Sequence, residues 1–134
     1  MQISKEQQNT IATVAKEHGL KLIVLYGSQA AGKTHAESDV DIAVLADKEL
    51  SYEEMFVIEE KIGKAINQSQ DKIDLVDTRH IPPLLLYNVA RKGQLVYGSA
   101  SEYEALRRQA FKQYIDARPL FKATEKFVKK YVNR

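Results

Sequence analysis

The 134-residue chain has no cysteine and no tryptophan, and only 3 prolines and 6 glycines. Without a thiol there is no disulfide framework, no cysteine nucleophile and no thiolate-held zinc or iron–sulfur centre. The longest apolar runs fall far short of a bilayer span, and Met1-Gln2-Ile3-Ser4-Lys5-Glu6 lacks the charged-then-apolar layout of a secretion signal. These absences lead to the expectation of a soluble cytoplasmic protein with no membrane partner. No repeat, low-complexity tract or long linker divides the chain, so residues 1–134 are expected to form one domain.

One-sided charge is also scarce. Twenty Lys and Arg stand against 18 Asp and Glu, too small an excess to point to nucleic acid as a partner. The sum conceals a division, because residues 1–100 carry 11 basic and 14 acidic side chains and residues 101–134 carry 9 and 4. The chain therefore reads as an acidic core over 1–100 followed by a basic helical tail over 101–134.

The apolar spacing predicts α/β structure. Ser4 with Gln7 has capping-box spacing before a helical stripe of Ile11, Val14 and Ala15 that Gly19 stops. Leu20–Tyr26 is rich in strand formers and ends at Gly27-Ser28. Val40, Ile42 and Val44 alternate with Asp39, Asp41 and Ala43, which predicts a second strand with both aspartates on the face opposite its apolar set. A second capping box, Ser51 with Glu54, opens a helix through Met55, Ile58, Ile62, Ala65 and Ile66 that ends near Asn67. Lys72–Asp77 repeats the alternation with Asp74 opposite Ile73 and Leu75. Pro82-Pro83 suit a helix start running through Leu85, Leu86, Val89 and Ala90 to Gly93, and Gln94–Tyr97 reads as a short strand. Ser101 with Glu104 is expected to cap a long tail helix that Pro119 kinks or splits, and one reading of that tail is a solvated helix packing Leu106, Phe111 and Ile115 on the core.

The chemistry gathers at Gly27-Ser28, ten further residues, then Asp39-Val40-Asp41, with Asp74 on a later strand. Two aspartates two apart on a strand have Cα atoms about 6.6–6.8 Å apart and point the same way. Such a pair can chelate a divalent cation, and Mg²⁺ prefers carboxylate and phosphate oxygens. Asp74, on the same face of a neighbouring strand, is the natural third ligand. The Gly27-Ser28 turn lets backbone N–H groups approach a phosphate while a hydroxyl adds a donor. An Asp-x-Asp alone is ordinarily a solvated strand face, and it is the conjunction that points to a nucleotide held between turn and carboxylates. His18, His35 and His80 lack ligand spacing, and Asp77 reads as a turn residue.

Gly-Ser-x10-Asp-x-Asp, within Ser38-Asp39-Val40-Asp41-Ile42-Ala43-Val44, resembles the signature of the DNA polymerase β nucleotidyltransferase superfamily and of its minimal nucleotidyltransferase (MNT) branch. That branch includes the antitoxins of HEPN/MNT toxin–antitoxin pairs. The resemblance implies a nucleotidyltransferase fold, with a small mixed β-sheet backed by helices and a C-terminal helical tail. It also implies transfer of AMP from ATP, with two Mg²⁺ ions, to a tyrosine hydroxyl of a cognate HEPN ribonuclease toxin in a hetero-oligomeric complex. Gly27 and Ser28 would bind the triphosphate, Asp39 and Asp41 both metals, and Asp74 the metal that activates the acceptor. Where many relatives read Gly-Ser-Arg-x-Arg-Gly, this chain reads Gly27-Ser28-Gln29-Ala30-Ala31-Gly32, and Lys33 is the nearest replacement for the missing cations. Two alternatives stay open: an antitoxin that acts by tight binding alone, and a nucleotidyltransferase acting on a small hydroxylated acceptor. For the basic tail, a solvated helix packed on the core stands beside a docking surface for the toxin, with nucleic-acid binding the least expected.

Overall fold

A computed structural model describes residues 1–27 and 39–131 of the chain. The order of elements is α1 (Lys5–Glu17), β1 (Leu20–Tyr26), β2 (Val40–Ala46), α2 (Tyr52–Ala65), β3 (Ile73–Asp77), α3 (Pro83–Lys92), β4 (Gln94–Tyr97) and α4 (Ala100–Tyr131), with short 3-10 turns on either side of β3.

The strands form one mixed sheet in the order β3-β2-β1-β4. β1 pairs antiparallel with β2 and with β4, while β2 and β3 are parallel and joined by the crossover helix α2. Period-2 alternation gives the sheet two apolar faces. Leu20, Ile23, Leu25, Val40, Ile42, Val44 and Ile73 face α1 and α2, where Ile58 and Ile62 are wholly buried. Leu22, Val24, Tyr26 and Ala43 meet Leu86, Val89 and Ala90 of α3 and Tyr103, Leu106 and Ala110 of α4 on the other side. Each such isoleucine or leucine contributes about 1.5–3 kcal/mol on burial.

The helix ends follow their sequence signals. Ser4–Gln7 and Ser51–Glu54 are both complete capping boxes. Past α2, Asn67 takes a positive φ of 56°, and Pro83 opens α3. The tail differs in three respects. Its cap is Ser99 rather than Ser101, since the Ser99 hydroxyl accepts from the Glu102 amide at 3.1 Å and the Ser99 carbonyl accepts from Tyr103. Ser99 and Glu102 have the same spacing two residues earlier, where the tight turn at Gly98 releases the chain. Pro119 lies inside one continuous helix, so of the kink or split expected there the split does not occur. Phe111 and Ile115 are 56% and 41% exposed, because the buried stripe runs through Tyr103, Leu106 and Ala110 and leaves both off its face. Tyr114 continues the stripe by stacking on Tyr87 of α3 at 4.1 Å.

A candidate nucleotidyl-transfer site at one end of the sheet

β1 leaves the sheet at the end where β2 and β3 enter it, so the residues flanking Gly27, Asp41 and Asp74 meet there. The register is Tyr26 opposite Asp41 and Asp41 opposite Asp74, a single row across three strands. Directly paired residues project to the same face from strands about 4.8 Å apart. Asp39, two residues before Asp41, is exposed at the mouth of the row. The structure thus brings Asp39, Asp41 and Asp74 to one locality, on the face opposite Val40, Ile42 and Val44.

The row is electrostatically strained. Burial pushes the Asp41 carboxyl above its usual range, the charges of Asp74 and Asp39 push it further, and a hydrogen bond to Asp74 adds to the effect. Burial, and then the charges of Asp41 and Asp74, raise the Tyr26 phenol to about 12. Glu59 of α2 is raised as well, by burial and then by Asp74. A field that resists a phenolate and a second carboxylate favours a cation. The donors are hard oxygens, and they fit Mg²⁺ in kind. They are neighbours rather than a closed cage, since among the described residues no three His, Asp or Glu side chains converge on one ion position.

Gly27 is fixed by this crowding. Its φ is +73°, and a Cβ there would overlap Asp41 Oδ2 and lie 3.1 Å from Asp41 Cγ. Only a residue without a side chain can turn the strand end while the carboxylate stands behind it. Ser28, Lys33 and His35 lie outside the described residues. The other histidines are elsewhere: His18 Nε2 lies 3.1 Å from Lys61 Nζ, and His80 Nε2 lies 3.0 Å from a Glu49 carboxylate oxygen. Asp77 is a turn residue, accepting the Arg79 amide at 3.0 Å.

The family model "Polymerase beta, Nucleotidyltransferase" matches residues 8–102, which contain the whole row. The chain belongs to this family. Within the nucleotidyltransferases it is 35% identical over 103 residues to a protein adenylyltransferase, MntA, of Aphanizomenon flos-aquae, covering 71% of this chain and 68% of that protein. Among solved structures, it matches a chain of a toxin–antitoxin complex with AMP-PNP at a TM-score of 0.79 and 27% identity, covering 91% of this chain and 98% of that one. A second match is to a complex of tri-AMPylated Shewanella oneidensis HEPN toxin with its MNT antitoxin, at a TM-score of 0.73 and 25% identity over 92% and 96% of the two chains. The expected nucleotidyltransferase fold, with its mixed sheet and C-terminal helix, is the one observed.

Sequence reasoning passed over Tyr26 and Glu59. Tyr26 ends an apolar run and reads as core, and only its pairing with Asp41 reveals its place. Glu59 follows the buried Ile58 on α2, and nothing in its spacing announces that it comes within the field of Asp74.

Proposed function

We propose that this chain is an antitoxin that transfers AMP from ATP to a tyrosine hydroxyl of a cognate HEPN ribonuclease toxin and so neutralises it, within a complex of the two proteins. The observation that carries this reading is the in-register row of carboxylates in a chain 35% identical to a protein adenylyltransferase. In the reaction a bond forms between the tyrosine oxygen and the α-phosphorus, the bond to the bridging oxygen of pyrophosphate breaks, and the phenol loses its proton.

In this proposal Asp39, Asp41 and Asp74 would hold Mg²⁺, and the bound metal would ease ionisation of the hydroxyl and offset charge on the leaving pyrophosphate. Asp74, exposed at the outer end of the row, receives the phenol proton. Gly27 keeps the strand end clear for the triphosphate, with Ser28 and Lys33 as its further proposed ligands. The absence of cysteine agrees with a cytoplasmic protein. Neutralisation by binding alone has less support, because a pure binder gains nothing from three like charges brought together.

The test uses ATP labelled at either the α- or the γ-phosphate, with Mg²⁺ and the partner toxin. Label on the toxin from α-labelled ATP only is the expected result. Label from γ-labelled ATP would make the chain a kinase, and label from neither would remove the transfer reading.

A further inference from the structure

β3 is the last strand of the sheet and pairs only with β2, so among the described residues no strand lies along its outer edge. Beside that edge lies a cavity of about 1030 Å³ between β3, the first half of α2 and the turn at His80-Ile81. Apolar groups form its floor, and Phe56, 60% exposed, stands at its rim with Tyr52, 95% exposed. Acidic groups line it too: Glu49, Glu54, Glu59 and Asp77. Asp77 is 7% exposed and its Oδ2 has no hydrogen-bond donor, which leaves a buried acceptor in the lining. The cavity ends at Glu59, whose carboxyl feels the charge of Asp74.

We infer that this edge and cavity bind the acceptor segment of the partner toxin as an added strand, with an apolar side chain between Phe56 and Tyr52 and a cationic one against Glu54 and Glu59. An unpaired strand edge offers backbone donors and acceptors that only a peptide fills in series, and the neighbouring pocket selects its alternate side chains. The acidic lining repels a triphosphate and attracts a basic peptide. A strand lying along Leu75–Asp77 runs towards Asp74, where the reading above needs the tyrosine hydroxyl. The inference rests on that reading for the identity of the bound protein, and not for the surface itself.

Two measurements on the full chain with its toxin test it. Amide hydrogen exchange of the complex is expected to slow at residues 73–77. In AMP-transfer kinetics, the double variant Tyr52→Ala/Phe56→Ser is expected to raise the KM for the toxin about tenfold while the KM for ATP stays unchanged. Unchanged exchange at 73–77 in a formed complex overturns the inference, as does a KM increase for ATP alone, which would make the cavity an adenine site. Protection at 73–77 with no AMP on the toxin would instead keep the docking surface and remove the adenylylation reading. Thermal melting of the double variant separates lost docking from lost fold, since both side chains are exposed and their removal is expected to leave Tm unchanged.

Discussion

Gly27 and Asp41 compete for one small volume, and this sets what either can become. At Gly27→Ala the added methyl must displace the Asp41 carboxylate and hold a left-handed φ. The variant is expected to lose at least about 1 kcal/mol of stability and nearly all AMP transfer, by denaturant melts and transfer assays. Asp41 shows the opposite balance between stability and activity. Its folded-state pKa is raised, so its contribution to stability is fully present below the unfolded pKa and is lost as pH rises through the folded value. Ionisation of the Asp41 carboxyl therefore works against the fold. Asp41→Asn is expected to melt above the wild type at pH 7, with the gap closing towards pH 4, while transferring no AMP. An Asn variant that melts lower at pH 7 would show that Asp41 is not strained. The Asp-x-Asp spacing was readable from sequence because period-2 geometry fixes which residues share a face. The strain was not, because it arises first from burial in the folded sheet and then from the charge of Asp74, 33 positions later.

Among the elements, the most local signals were the most legible. Both N-terminal capping boxes, the alternation in β2 and β3, and the Pro-Pro start of α3 depend on residues within a turn of each other. The tail helix was read less well, since two overlapping Ser-x-x-Glu patterns, Ser99–Glu102 and Ser101–Glu104, offer the same cap. Packing decides between them: Tyr103 is buried, with its hydroxyl 3.1–3.3 Å from the carbonyls of Val89, Ala90 and Gly93, and this sets where the helix begins. Ser99→Ala is expected to cost about 1 kcal/mol, whereas Ser101→Ala should cost a few tenths at most. Pro119 sits in the helix at the loss of one backbone bond, so Pro119→Ala should strengthen the far-UV helical signal. A weaker signal would mean that the proline serves the helix instead of straining it.

At the scale of the whole molecule, the near-neutral total is made of two unlike parts. The acidic part contains the strained carboxylate row and the acidic cavity beside β3. The basic part is α4, which reaches the core through Tyr103, Leu106, Ala110 and Tyr114 and leaves Phe111, Ile115, Leu120 and Phe127 exposed. No helix among the described residues is long and apolar enough to cross a membrane. If the carboxylates hold Mg²⁺, adding the ion should raise Tm in the wild type and leave Asp39→Ala/Asp41→Ala unmoved; equal shifts in both would place the ion elsewhere. The proposed reaction is the passage of AMP by these aspartates to a protein tyrosine. Its most direct test is the intact mass of the partner toxin after incubation with ATP, Mg²⁺ and either the wild-type chain or the Asp39→Ala variant. Whole AMP masses on the toxin with the wild type, carried by tyrosine and absent with the variant, are the predicted result. An unmodified toxin in a formed complex, or equal modification by both proteins, would contradict it.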